Sequence, residues 1–147
     1  MDYLYWSLST LKKSGAYLIP KNTVHIERII EKVDKPLRSP GIYRLVGLSG
    51  ALAVIAGAYG SHGFDQKLQK EQRIFQTGAH YHLLHTLALM GSPLARYPYF
   101  TAFMFTTGTA LFSGTCYAIA LKQNDKFSHL APVGGVLLIV AWLSFCI

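Results

Sequence analysis

The sequence predicts an all-α integral membrane protein, an up-down-up-down four-helix bundle over residues 42–147 behind a polar, amphipathic N-terminal extension over residues 1–41. Three observations carry this expectation: a charge deficit confined to one part of the chain, apolar stretches of helical length, and short connections between them. Only 14% of the 147 residues are charged, against about 25% in an ordinary soluble domain. Residues 1–41 hold 11 of these charges, whereas residues 76–147 hold only Arg96, Lys122, Asp125 and Lys126. A soluble α/β enzyme, a disordered tail, a coiled coil and a disulfide-stapled module all fit this distribution poorly.

The extension comes first. Met1-Asp2-Tyr3-Leu4-Tyr5-Trp6 brings an acidic residue at once and no uninterrupted apolar core, so it is a poor secretory signal, and the segment is poor in Arg for a transit peptide. Asn22-Thr23 is a candidate cap for a short helix with Val24, Ile26, Ile29, Ile30 and Val33 on its apolar side. Such a helix lies on a membrane surface or against a partner. Pro36, Pro40 and Gly41 are expected to form the hinge into the first span.

The first apolar stretch, residues 43–59, has Arg44 as its only charge and ends at Gly60-Ser61-His62-Gly63. The second, residues 75–90, is the least apolar because it carries His80, His82 and His85, and it stops at Gly91-Ser92-Pro93. The third, residues 98–121, is uncharged and about 36 Å long as a helix. The fourth, residues 130–147, is also uncharged, and its length of about 27 Å nearly matches a hydrocarbon core of about 30 Å. Helices are required in a bilayer because an isolated strand leaves its backbone groups unpaired in lipid.

The connections over 60–74, 91–97 and 122–129 are short enough to make consecutive helices antiparallel neighbours. Basic residues near the membrane tie between the two sides. Only Lys12, Lys13, Lys21 and Arg28 tip the N-terminus towards the cytosolic or matrix side. Small residues recur every four positions in the first span (Ser49, Ala53, Gly57, Ser61) and in the third (Thr106, Ala110, Gly114, Ala118). Close backbone approach drives helix association in lipid, so these two ridges are expected partners.

Intramembrane histidines are the main chemical feature, since ionisable groups in spans are costly and face a bundle interior or a wet cavity. On a helix His82 and His85 share a face, with Tyr81 four residues before His85, while His80 points elsewhere. His62 joins them only if the loop over 60–74 folds back. Three imidazoles suit a transition metal and two suit a haem. The simpler reading has neutral histidines hydrogen-bonded between helices. Asp65, Glu71 and Asp125 sit in loops, so no carboxylate completes a proton relay in a span. Nucleophile elbow, Walker loop, HExxH and dinucleotide signatures are absent, so no enzyme and no cofactor is expected. Cys116 and Cys146 read as small apolar residues, and Gly134-Gly135 as a packing or bending feature. No stripe of Lys and Arg with interleaved aromatics suggests nucleic acid.

Several separate pieces occur in an order that resembles a known family. They are Gly47-Leu48-Ser49-Gly50-Ala51, Ala58-Tyr59-Gly60-Ser61-His62-Gly63, Phe75-Gln76-Thr77-Gly78, and His82-Leu83-Leu84-His85-Thr86-Leu87-Ala88-Leu89. Gly108-Thr109-Ala110-Leu111-Phe112-Ser113-Gly114 with Tyr117, and Leu130-Ala131-Pro132-Val133-Gly134-Gly135 with Trp142, continue the pattern. Together they resemble the transmembrane protein 256 family, also called domain of unknown function 423, over residues 43–147. The resemblance implies four transmembrane helices, occurrence from bacterial inner membranes to animal mitochondria, and no established activity. Its pattern touches His62, His85 and, in animal members, His82. Bacterial members differ at the place of His82, which speaks against an obligatory His82/His85 metal pair. Residues 1–40 depart from the short members and resemble a docking element.

The expected function is therefore a non-catalytic structural or accessory protein of the mitochondrial inner membrane. Membrane lipids are its surroundings, and its extension docks it to other membrane subunits such as those of a respiratory complex. The alternative is a metal- or haem-binding protein using His82 and His85 with His62. A small transporter or channel is a third reading, with no acidic midplane residue to support it.

Overall fold

The computed structural model describes residues 39–123 and 125–147, together with Arg28. The expected cap Asn22-Thr23, the amphipathic helix after it and Pro36 lie outside the described residues. The chain divides into Met1–Arg38 and Ser39–Ile147, and the second unit is the one described below.

Four long helices form: α1 (Pro40–His62), α2 (Gln69–Gly91), α3 (Pro98–Lys122) and α4 (Leu130–Leu143). Short 3₁₀ turns at Ser92–Leu94, Asp125–Phe127 and Ser144–Cys146 complete the path, with no strand among the described residues. Pro40 and Gly41, expected in a hinge, instead open α1. Proline at the first helical position gives up an N–H that would have no intrahelical partner, and its fixed φ suits the helix. The Ser39 carbonyl accepts from the N–H groups of Ile42 and Tyr43 at 3.1 and 3.2 Å. Pro98 opens α3 in the same way.

The first connection is 63–68, shorter than the expected 60–74. Gly60, Ser61 and His62 continue α1 until the Gly63 N–H closes on the Tyr59 carbonyl at 2.6 Å. A Cβ on Gly63 would lie 2.6 Å from the Tyr59 ring, so a larger residue cannot make this stop without moving it. On the other side, the polar residues from Gln69 onward are already helical, because polarity marks an exposed face and not a helix end. Gln72 and Gln76 of α2 each donate a side-chain N–H to the Gly60 carbonyl at 3.1 Å. An end carbonyl of α1 is thereby satisfied by its neighbour.

The helices pack in chain order, α1 on α2, α2 on α3 and α3 on α4. Each pair is antiparallel: Gly60 faces Phe75 while Ser49 faces His82, and Phe75 meets Tyr117 while His85 meets Phe105. In the last pair, Phe112 approaches Gly134 while Thr101 meets Ser144. Glycines set the closest approaches. A Cβ on Gly78 would stand 2.7 Å from Cys116 Cβ, and one on Gly134 would stand 2.5 Å from the Phe112 backbone nitrogen. Gly135 meets nothing within 4 Å, so only the first of that pair is a packing residue.

The expected ridge pairing between the first and third spans does not occur. A Cβ at Gly57 or Gly114 has nothing within 4 Å, and Ala110 is exposed. Ala53 is buried, and Ser49 bonds to α2 instead. The physical reason is His82, whose ring bonds α1 on one side and α3 on the other and so stands between the two ridges. All four helices do converge at one end, where Ile42, Leu89, Ala102, Phe105, Leu138 and Ala141 form a shared core.

The outer surface is apolar. Leu48, Leu52 and Ile55 of α1 are 67%, 60% and 64% exposed, and Phe103 and Ile139 carry the same character onto α3 and α4. Helices α1 and α3 are long and apolar enough to cross a membrane. The expected fourth span is interrupted: α4 keeps α-helical geometry for 14 residues, about 21 Å, before it tightens into the 3₁₀ turn.

Candidate functional site

Next to the shared core, α1, α2 and α3 line an open-sided cavity of about 350 Å³. Leu45, Leu48 and Leu52 form its α1 wall, and Phe105 with Leu89 closes one end. Polar groups interrupt this apolar lining: Ser49, His82, His85, Thr86, Ser113 and Tyr117, with Thr106 and Thr109 beside them on α3.

Four of them form a hydrogen-bonded chain. Tyr117 Oη lies 3.2 Å from His82 Nδ1, His82 Nε2 lies 3.1 Å from Ser49 Oγ, and Ser49 Oγ lies 2.6 Å from Thr86 Oγ1. A neutral imidazole donates from one nitrogen and accepts at the other, so the chain runs in a single direction at a time. If Tyr117 donates to Nδ1, then Nε2–H donates to Ser49, whose hydroxyl is free to donate on to Thr86; with the other tautomer Nδ1–H donates to Tyr117, Ser49 donates to Nε2 and Thr86 donates to Ser49. The chain thus joins α1, α2 and α3 through one ring. Burying such groups unpaired would cost free energy, and here each finds a partner.

His85 behaves differently. Its Nδ1 donates to the Tyr81 carbonyl at 2.7 Å, and its ring stacks on Tyr81 at 5.7 Å between centroids. Because a carbonyl only accepts, the neutral ring keeps Nε2 as an acceptor. Phe105 and Trp142 flank the ring at 6.1 and 6.4 Å. Ser113 is 2% exposed, and its hydroxyl is buried without a hydrogen-bond partner.

Both His82 and His85 line the cavity, but His62 does not join them. It sits at the exposed end of α1, 13 residues and about 20 Å along the helix from Ser49. With both His82 nitrogens engaged within the protein, the geometry gives no support to a metal or haem ligand set built on His62, His82 and His85. Among the described residues no three His, Cys, Asp or Glu side chains gather to hold a metal ion. Among the five expected packing residues, Ser49, Ala110 and Gly114 prove to be cavity walls. Sequence reasoning missed Thr86, Ser113 and Tyr117. Thr86 had a signal, four residues after His82 and so on the same helix face.

The family model described as a protein of unknown function, DUF423, matches residues 56–135. A UPF0382 membrane protein of Haemophilus influenzae is 31% identical over 106 residues, which cover 68% of this chain and 86% of the relative. A UPF0382 inner membrane protein of Escherichia coli K12 is 33% identical, covering 65% of this chain and 78% of its own. A UPF0382 membrane protein of Schizosaccharomyces pombe is 30% identical over 116 residues, covering 72% and 98% respectively. No solved structure matches the chain significantly. With the family model spanning more than half of the sequence and membrane proteins of bacteria and yeast aligned along most of their lengths, the chain belongs to the DUF423 family of small membrane proteins.

Proposed function

We propose that all four helices lie in the bilayer and that the protein acts without catalysis, as a structural or accessory subunit. Its extension over residues 1–41 docks it to a larger complex of the mitochondrial inner membrane, one of the respiratory assemblies. The observation that supports the membrane placement is the exposed apolar surface: an α1 whose leucines and isoleucines are mostly uncovered suits lipid around it. Helices α2 and α4 are then held in place by their neighbours, the first by the histidine-centred chain and the second by the Gly108 and Gly134 contacts with α3.

Docking draws support from the chain's surplus sequence. The fission yeast relative is matched over 98% of its length by only 72% of this chain. Residues 1–41 are of near-ordinary soluble composition and suit a protein contact better than a lipid one. A mild-detergent native gel of mitochondrial membranes tests the reading. Comigration with a large complex, lost when residues 1–38 are removed, is the expected result. Migration only as a free small species, with and without those residues, overturns it.

A further inference from the structure

We propose that the cavity between α1, α2 and α3 is a binding site for an uncharged membrane lipid with a hydroxyl head group. The site rests on the bilayer placement proposed above and is independent of the accessory role. Its volume of about 350 Å³ holds about a dozen heavy atoms, taking about 30 Å³ as the share of one water, and falls in the usual range of ligand pockets. That is enough for a head group and the first part of a hydrocarbon chain. The wall residues Leu48 and Leu52 are also exposed on the outside of α1, so the cavity communicates with the lipid-facing surface and the rest of the chain can lie there.

The head group is set by what lines the cavity. No Lys, Arg, Asp or Glu side chain does so, which leaves a phosphate, carboxylate or ammonium without a counter-charge. Ser49, His82, Thr86 and Tyr117 are committed to one another. Among the other lining groups, Ser113 and His85 offer a donor and an acceptor as a pair. Ser113 has a buried hydroxyl with no partner, and His85 keeps Nε2 as an acceptor once Nδ1 has been used on Tyr81. A hydroxyl satisfies both, donating to His85 Nε2 and accepting from Ser113 Oγ. A ketone or ester can serve Ser113 but leaves His85 unanswered, and an alkane serves neither.

The test uses the full chain in phosphatidylcholine nanodiscs with a long-chain alcohol carrying a diazirine near its head. Carbonate extraction first reads membrane insertion, so a failure of the bilayer placement is told apart from a failure of the site. Crosslinks are expected on peptides of α1 and α3 that line the cavity. Unlabelled alcohol should compete at about tenfold lower concentration than the alkane or fatty acid of equal length. Gly114→Phe places a ring where a Cβ now meets nothing within 4 Å, so it should fill the cavity without disturbing a helix contact and abolish the crosslinks. Ser113→Ala should remove most of the preference for alcohol over alkane while leaving the helix content unchanged. The proposal is overturned if inserted protein shows no crosslinks on these peptides, if alkane or fatty acid competes as well as alcohol, or if either variant leaves the result unaltered.

Discussion

His82 of α2 and Tyr117 of α3 are joined ring to hydroxyl at 3.2 Å, although 35 positions separate them in the chain. This bond continues through the imidazole to Ser49, so a perturbation at Tyr117 is felt on α1 as well. Tyr117→Phe and His82→Leu are each expected to lower the unfolding free energy in detergent. Their double-mutant cycle should show coupling of about 0.6 kcal/mol, the usual size of an interhelical hydrogen bond in membranes. Additive losses would mean that the two side chains act independently.

At the α3–α4 contact, adjacent glycines should respond in opposite ways. Gly134→Val places atoms 2.5 Å from the Phe112 backbone nitrogen, where no rotamer offers relief, and should lower stability by about 3 kcal/mol or more. Gly135→Ala meets open space and should be neutral or stabilising by up to about 1 kcal/mol. Thermal denaturation followed by circular dichroism reads both.

Near the other end of α3, the Thr101 and Ser144 hydroxyls lie 2.7 Å apart and are buried. Ser144 donates to the Ala141 carbonyl at 2.7 Å, so Thr101 is the donor to Ser144. Thr101→Val keeps the shape and removes the donor, and a loss of about 1 kcal/mol is expected in the same measurement. Thr101→Ser should retain most of the stability.

Gln123 follows α3 with φ at 51°, the left-handed region that a side chain resists. Gln123→Gly removes that strain and should stabilise the protein by about 1 kcal/mol. A matched Gln123→Ala should fall well short of this gain.

If all four helices cross the bilayer as proposed, their antiparallel packing fixes which connections share a side. In a Cys146→Ser background, with buried Cys116 retained, single cysteines at Asp65 and Asp125 should react with an impermeant maleimide from one side of sealed vesicles. A cysteine at Arg96 should react from the opposite side. Labelling of all three from one side would rule out a bilayer arrangement with four crossings.

The helices were legible because their evidence is local. Uncharged runs bounded by Pro98, by Gly91-Ser92-Pro93 and by Gly63 mark helices whatever they pack against. The ends were less so. Gln69 to Arg73 are polar yet helical, and Ser144 to Cys146 are uncharged yet leave α-helical geometry. The site was legible in part. His82 and His85 stand out as ionisable residues in apolar surroundings, whereas Tyr117 and Ser113 become site residues only through the register of α3 against α2. That register depends on where Gly78 lets Cys116 approach, a contact between positions 38 apart that periodicity within one helix does not encode. The small-residue ridges failed for the same reason: a stripe shows that a helix can be approached closely, not which neighbour approaches it.

The chain-order packing of the helices also bears on biogenesis. Apart from the shared core at one end, each helix finds its main partner in the one made immediately before it. Loop closure is then short at every step, which favours rapid assembly. The hairpin of α1 and α2 is latched by Gln72 and Gln76 on the Gly60 carbonyl, a contact available before α3 is synthesised. Under the proposed bilayer placement, assembly proceeds by successive docking from the N-terminal end, with Tyr117 completing the histidine-centred chain only when the third helix arrives.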